Sequence, residues 1–400
     1  MPQNNSPLFL PDIKVDPPSL DELEISLFGP GRGECVVVHL GNNDWLVVDS
    51  CLDNTSSQPV ALRYLENLGV DPREAVQRVV VTHWHDDHIK GISAVVEHCP
   101  SAYIYFSQAL LKEEFFELLT AFYSFDARSG GKVADMIDFE RPEGLTSGVS
   151  EIAKIVAHAY KHDSAKRYKR RIHYAGDSTI VFESVAPRVR IRSLSPSAKA
   201  VNSALVHFAG LVPDSVQRGV IPAQIKNHCS IALWIEFENI RMLLGGDLEQ
   251  VNDPDMGWNA VLEGPNPVQG SKASVFKVPH HGSHNGHNDR VWKDLLEEDV
   301  NSILTPFYGS SNPPPTQNDL NRLLSLTDSV SITAQPKIPK KKYTDHVVQK
   351  LLSGMISERR TLVGKMGHIQ IRAFDGRFSI GFDGPARQVD KRFMREFYSA

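Results

Sequence analysis

Short apolar runs separated by turn chemistry dominate the first part of the chain. LEISLFG, CVVVHL and WLVVDS (23–50) are interrupted by GPGRG and GNND, which predicts a three-stranded β-meander. ALRYLENLG (61–69) has helical period and a glycine stop. VQRVVVTHWHDDH reads as a buried strand running straight into a His/Asp cluster. GISAVVEHC (91–99) predicts a helix, AYIYFS (102–107) a strand, and QALLKEEFFELLTAFYSF (108–125) a long amphipathic helix.

From about 126 to 225 the pattern is less regular. It predicts a helix over 149–163, a charged stretch, a strand pair in RIHYAGDSTIVFES and RVRIRSLSP, and a helix near 201–209. CSIALWIEFENIRMLLGGD (229–247) predicts a hairpin whose second strand ends on Asp247, and ASVFKVPHHGS (273–283) a strand ending in histidines. A helix (291–297), the strand SILTPFY, a helix (317–325), the strand SVSITA, a last helix (345–358) and the hairpin HIQIRAFDGRFSIGF, turning at Asp375-Gly376, follow. Residues 1–20 read as an irregular arm and 384–400 as a tail. Strands mixed with helices throughout predict an α/β layered protein, with no internal repeat.

Composition narrows the class. Of 400 residues, 41% are hydrophobic, enough for a large core, and the net charge of -5 gives no global sign of nucleic-acid binding. Cys35, Cys51, Cys99 and Cys229 lack CxxC spacing, which predicts reduced thiols. With no signal-peptide pattern and no run of about 20 apolar residues, the expectation is a soluble cytoplasmic protein without a membrane partner.

The chemistry concentrates at strand ends. His83, His85, Asp87 and His88 place four ligands within six residues, just past an apolar strand. His83 and His85 can grip one cation, and Asp87 with His88 a second beside it. Imidazole with carboxylate suits Zn²⁺, Mn²⁺ or Fe rather than Ca²⁺. Asp247, after two glycines, could bridge both cations, and His280 and His281 end another strand. These strand tips are expected to converge on one edge.

THWHDDHIKG resembles the signature motif of the metallo-β-lactamase superfamily. Asn227-x-x-Ser230, then Gly-Gly-Asp247, then Val-Pro-His280-His281-Gly-Ser is similar to one branch, that of the soluble hydrolase domain of the DNA-uptake channel protein ComEC and its stand-alone relatives. GPGRGECVVVHL…WLVVDS is similar to the branch's opening hairpins, and SLSPS and NPPPTQNDLNRLL match it loosely. The resemblance covers most of residues 22–334. It implies an αββα four-layer sandwich over 21–383, with a divergent insert at about 126–225 and a helix–hairpin extension at about 335–383. It also implies two divalent metal ions, zinc or manganese. The first would be held by His83, His85 and a third histidine, for which His228 is the nearest candidate. The second would be held by Asp87, His88 and either His280 or His281, with Asp247 bridging. His284, His287, Asn227 and Ser230 are candidate substrate contacts. Asp49 is either an acceptor that orients a ligand histidine or a polar strand end.

Two cations about 3.5–4 Å apart make a shared water nucleophilic near neutral pH and neutralise charge on the substrate. In this expectation Asp87, Asp247 and His281 do the catalytic work at the metals, and Asp86 or the remaining histidine donates a proton to the leaving oxygen. The branch resemblance implies phosphodiester hydrolysis, with a nucleic acid or nucleotide as substrate. Lys169, Arg170 and Arg171, in the basic stretch 161–173, are candidate phosphate contacts. A small carbonyl substrate (lactone, thioester or lactam) stays open, as does a role as an effector subunit docking a protein partner through the insert.

Overall fold

The computed structural model describes residues 13–30, 33–54, 56–110, 148, 150–155, 171–211, 223–264, 268, 270–309, 312–336 and 366–398, with side chains of 209–211 and 223–225 outside the description. Two eight-stranded mixed sheets pack face to face with helices outside, giving the four layers expected.

The first sheet contains β1 (Leu23–Gly29), β2 (Cys35–His39), β3 (Trp45–Val48), β4 (Val76–Val81), β5 (Tyr103–Ser107) and β6 (Ile172–Ala175), joined on its β1 side by β14 (Gly367–Phe374) and β15 (Arg377–Asp383). The second contains β7 (Ile180–Val185), β8 (Arg188–Ser193), β9 (Leu233–Phe237), β10 (Ile240–Leu244), β11 (Ala273–Lys277), β12 (Leu296–Leu304), β13 (Val330–Ile332) and β16 (Arg387–Gln388). Each sheet joins an antiparallel block to a parallel one: β3 to β6 run parallel in the first, β10 to β13 in the second.

Side-chain alternation sorts the cores. Leu23, Ile25 and Leu27 of β1, with Val36 and Val38 of β2, face the second sheet and pack in one cluster with its Ile235 and Val275. Val37, Val47 and Val79 face outward under the helices Val60–Asn67 and Ile92–His98. Strands covered on both faces need apolar residues at successive positions, so β2 and β3 read as continuous runs rather than as alternation. The third cluster seats Gly257–Glu263, Asp289–Leu295, Gln317–Leu324 and Lys391–Tyr398 on the second sheet.

The structure departs from the predicted pattern in three places. RIHYAGDSTIVFES is two strands, not one: a turn at 176–179 carries the chain from the edge of one sheet to the edge of the other. β12 begins at Leu296, straight after its helix, rather than at SILTPFY. Part of the expected tail is ordered, because β16 pairs with β13 and Phe393 of the following helix is buried. The expected helices over 111–125 and 345–358 lie outside the described residues, as do 156–163 of the helix placed at 149–163; residues 150–155 are helical. Cys35, Cys51, Cys99 and Cys229 are all buried and unpaired. No helix among the described residues is long and apolar enough to cross a membrane.

Candidate metal centre

Three strands, β4 from the parallel block of one sheet and β10 and β11 from that of the other, end at one place. β4 delivers His83, His85, Asp87 and His88, β10 delivers Asp247, and β11 delivers His281. His83, His85 and Asp247 bring one ligand atom each within 4.8 Å of one another, and so do Asp87, His88 and His281. Asp247 stands between the two groups. Its Oδ2 lies 3.2 Å from His88 Nε2, 3.7 Å from His281 Nε2 and 3.8 Å from His83 Nε2. His281 Nε2 is 3.1 Å from Asp87 Oδ2, and His83 Nε2 is 2.9 Å from His85 Nδ1.

The backbone is bent to achieve this. Asp49, His280 and His281 have φ of 60°, 50° and 55°, left-handed values that side-chain-bearing residues adopt at a cost and that cluster at functional sites. Gly33 is required where it stands: φ is 139° and a Cβ would come within 1.9 Å of the Asp87 carbonyl, which accepts the Glu34 N–H at 2.8 Å.

Buried acceptors and donors orient the ligands. Asp49 Oδ1 accepts the Thr82 N–H, and its Oδ2 accepts the Thr82 hydroxyl and contacts His88 Nδ1, each at 2.7 Å. Of the two readings open for Asp49, the structure thus has the carboxylate that fixes a histidine ring, an arrangement that raises ligand basicity. The Thr305 carbonyl does the same for His281 Nδ1 at 3.0 Å. Burial holds His83 well below its usual range and His85 at about 4, so both are neutral lone-pair donors at pH 7. For His88, burial works in the same direction, but the carboxylates of Asp247, Asp87 and Glu34 outweigh it and raise the imidazole well above its usual range.

This donor set fits a divalent cation pair. His88 Nε2 is buried without a hydrogen-bond partner, a costly state for a polar atom unless something cationic meets it. The neutral imidazoles of His83 and His85 and the carboxylates of Asp87 and Asp247 direct lone pairs into the same small space.

The other candidates are placed differently. His280 does not join either group: its Nδ1 is 3.2 Å from Glu249 Oε1. His228 likewise faces Glu249, at 3.5 Å, so the expected third histidine is not part of the cluster. Asn227 and Ser230 are scaffolding rather than substrate contacts, being 3% and 0% exposed. Asn227 Nδ2 donates to Glu249 at 2.9 Å, and Ser230 Oγ accepts the Asp247 N–H at 3.0 Å. His284 and His287 lie on the following loop, where His284 lines a separate cleft with Thr316 and Arg322, and His287 contacts Asp289. Arg171 is a correction: it precedes β6, at the sheet edge opposite the ligands, and its guanidinium donates to the Ala102 and Cys99 carbonyls. Lys169 and Arg170 lie outside the described residues.

A cleft of about 480 Å³ opens onto the centre. Asp86, Asp87 and His281 line it together with Lys90, Lys226 and Phe307. Asp86 Oδ1 accepts the Gly148 N–H at 2.8 Å. Lys226 is buried, which pulls its ammonium below the usual range against the opposing charges of Asp86 and Asp87. Phe307 stacks on His281 with centroids 5.3 Å apart. Sequence reasoning missed Lys226, Glu34 and Lys277. The last two carried a visible signal, since Glu34 directly precedes the apolar run of β2 and Lys277 is the charged last residue of the largely buried β11.

Two helix-flanked mixed sheets with ligands at converging strand tips define a layered α/β metal-site protein. The family model of the metallo-beta-lactamase superfamily matches residues 28–293. This chain belongs to that superfamily, whose members are generally metal-dependent hydrolases. Among solved structures, it is similar to the metallo-beta-lactamase fold protein YhfI from Bacillus subtilis (11% identity, TM-score 0.35, 78% of this chain and 96% of that one). It is also similar to the metallo-beta-lactamase SMB-1 bound to 2-mercaptoethanesulfonate (12%, 0.33, 70% and 87%). A third similar structure is AidC, a dizinc quorum-quenching lactonase (11%, 0.27, 54% and 55%). At these identities none of the three bears on substrate. No curated protein matches the sequence significantly.

Proposed function

We propose that the chain is a dinuclear metal-dependent phosphodiesterase or nuclease of the ComEC-like branch. The observation that carries this reading is the cleft: two lysines, Lys90 and Lys226, stand in the same cavity as Asp87 and His281. An anionic substrate oxygen placed near the ligands would meet those ammonium groups, as phosphoryl transfer requires and an uncharged lactone does not. His83, His85 and Asp247 would hold one cation, and Asp87, His88 and His281 the other, with Asp247 shared. When bound, such cations supply Lewis acidity toward a phosphoryl oxygen and make water nucleophilic at neutral pH. Lys90 and Lys226 take up charge on the non-bridging oxygens. Asp86, at the cleft wall, would take the proton released by the attacking water and pass it to the leaving oxygen. Phe307 offers an apolar face for a sugar or base.

The test is a substrate screen with Mn²⁺- or Zn²⁺-loaded protein: bis(p-nitrophenyl) phosphate, single- and double-stranded DNA, RNA, and a lactone, lactam and thioester panel. Phosphodiester hydrolysis that a chelator abolishes and added metal restores is expected. Lys226→Ala should raise KM about 10-fold or more with a smaller change in kcat, since a hydrogen bond to a charged group is worth about 1.5–3 kcal/mol. Turnover confined to the carbonyl panel would overturn the reading.

A further inference from the structure

Below the ligand cluster lies an ion pair that the expected mechanism does not use. Lys277 ends β11, and its side chain is 2% exposed. Its ammonium forms a close ion pair with Glu34, whose side chain is also 2% exposed, and donates to the Gly246 carbonyl at 3.0 Å. The same Nζ stands 3.9 Å from Asp247 Oδ1. Glu34 in turn lies 3.7 Å from His88 Nδ1 and 3.6 Å from His281 Nδ1.

The two oxygens of Asp247 therefore face different charges. Oδ2 points to His83, His88 and His281, whereas Oδ1 points to a fixed ammonium. The backbone beneath is also fixed: the Asp247 N–H is held by Ser230, and Gly246, at φ 52°, has no room for a Cβ against Ser230 Oγ. A buried lysine loses its hydration, and its paired carboxylate must offset that cost. Placing such a pair below a metal ligand is unneeded for the core, where an apolar residue of similar size would serve.

We propose that Lys277, anchored by Glu34, is a positioning residue for Asp247: it occupies the cation place on the inner side of the carboxylate, so that Oδ2 alone is offered to the metal pair. A second consequence concerns Glu34. With His88 and Asp247 it forms a group close enough to share one cation. The ammonium fills that inner position and keeps metal on the cleft side. The inference rests on the reading that the centre holds two cations.

The experiment compares wild type with Glu34→Gln/Lys277→Met. The double substitution removes one charge of each sign, so the net charge of the chain is unchanged and the inner group loses its carboxylate. Both proteins are loaded with Co²⁺ and followed by stoichiometry, chelator competition and the visible absorption of the bound cobalt, with kcat and KM on a simple phosphodiester alongside. Positioning predicts that the double variant binds its second Co²⁺ at least about tenfold more weakly, in the range found for groups that orient metal ligands. It also predicts a changed cobalt spectrum and a fall in kcat rather than a rise in KM. Two Co²⁺ bound with wild-type affinity and spectrum would overturn the proposal while leaving the dinuclear reading intact. A wild type that takes up no Co²⁺ would overturn both. Should the variant not fold, a metal-loaded structure of the wild type decides: Oδ1 must remain beside Lys277, and Oδ1 found as a ligand of the second metal ion overturns the proposal.

Discussion

Asp247→Asn is expected to lower kcat by about 10³-fold or more and to leave the chain with at most one tightly bound metal ion. Its Oδ2 lies within 3.8 Å of ring nitrogens from both ligand groups, so one substitution touches both cation positions. Asparagine keeps the shape and removes the negative charge, which isolates the electrostatic contribution. Loss of several kcal/mol of metal-derived stabilisation converts to that rate factor at about 1.4 kcal/mol per decade. In the metal-free protein, burial opposes the charge on Asp247, but His88 and His281 outweigh it and hold the carboxyl well below its usual range. The aspartate is therefore ionised at working pH, and asparagine removes a full charge. Metal analysis and thermal melts with and without Mn²⁺ or Zn²⁺ check the prediction. Wild type should melt higher with metal, by the free energy of binding to the native state, about 4 kcal/mol at a thousand times Kd, and the variant should lose most of that increment. A variant that keeps both metal ions and its activity would exclude Asp247 as the shared ligand.

The centre was legible because its chemistry is local. His83, His85, Asp87 and His88 sit within six residues, and Asp247 and His281 each follow an apolar strand, so strand-end convergence predicts their meeting. The choice between His280 and His281 was not legible. Two consecutive left-handed residues send one imidazole to Asp87 and the other to Glu249, and spacing along the chain does not encode that divergence. Asn227 and Ser230 were misplaced for a related reason. A polar residue near a site can serve substrate or backbone, and only its burial shows that Ser230 serves the Asp247 N–H. Lys226 precedes a motif that drew attention to its neighbours, and it becomes visible only when the helix Ala223–His228 lays it in the cleft. The C-terminal hairpin was recognised from its alternation and its Asp375-Gly376 turn, but not its place. Pairing of β14 with β1, more than three hundred positions earlier in the chain, is a long-range contact that no local pattern specifies.

That long-range pairing carries the second large expectation, this time for stability. Glu24 of β1 stands directly opposite Arg372 of β14, and Arg372 Nε donates to Glu24 Oε2 at 2.8 Å, with both side chains buried. Tyr64 and Ser26 donate to Glu24 Oε1 at 2.5 and 2.8 Å. Gln370 donates to Tyr64 at 3.0 Å and binds the backbone of Lys14, and Arg372 donates to the Asp16 carbonyl, so the network also pins the N-terminal arm. Arg372→Ala strands a buried carboxylate. Breaking such a pair from one side costs about 3–5 kcal/mol, a drop in Tm of about 6–10 °C at roughly 2 °C per kcal/mol. Burial already raises Glu24 above the usual carboxylate range, with Tyr64 and Arg372 opposing, and removing the arginine raises it further. A carboxyl whose folded pKa lies above its unfolded value binds its proton more tightly in the native state. The deficit of Arg372→Ala relative to wild type should therefore be larger at pH 7.5 than at pH 5. Calorimetric melts at the two pH values read this directly, and a deficit independent of pH would mean that lost packing, not the stranded charge, dominates. Replacing the pair as Glu24→Gln/Arg372→Met should recover most of the loss, because the double variant leaves no uncompensated ion. At 25 °C the single variant should keep its metal content and its kcat within about twofold: the network lies on the helix-covered face of the first sheet, whereas the ligands sit at the strand ends.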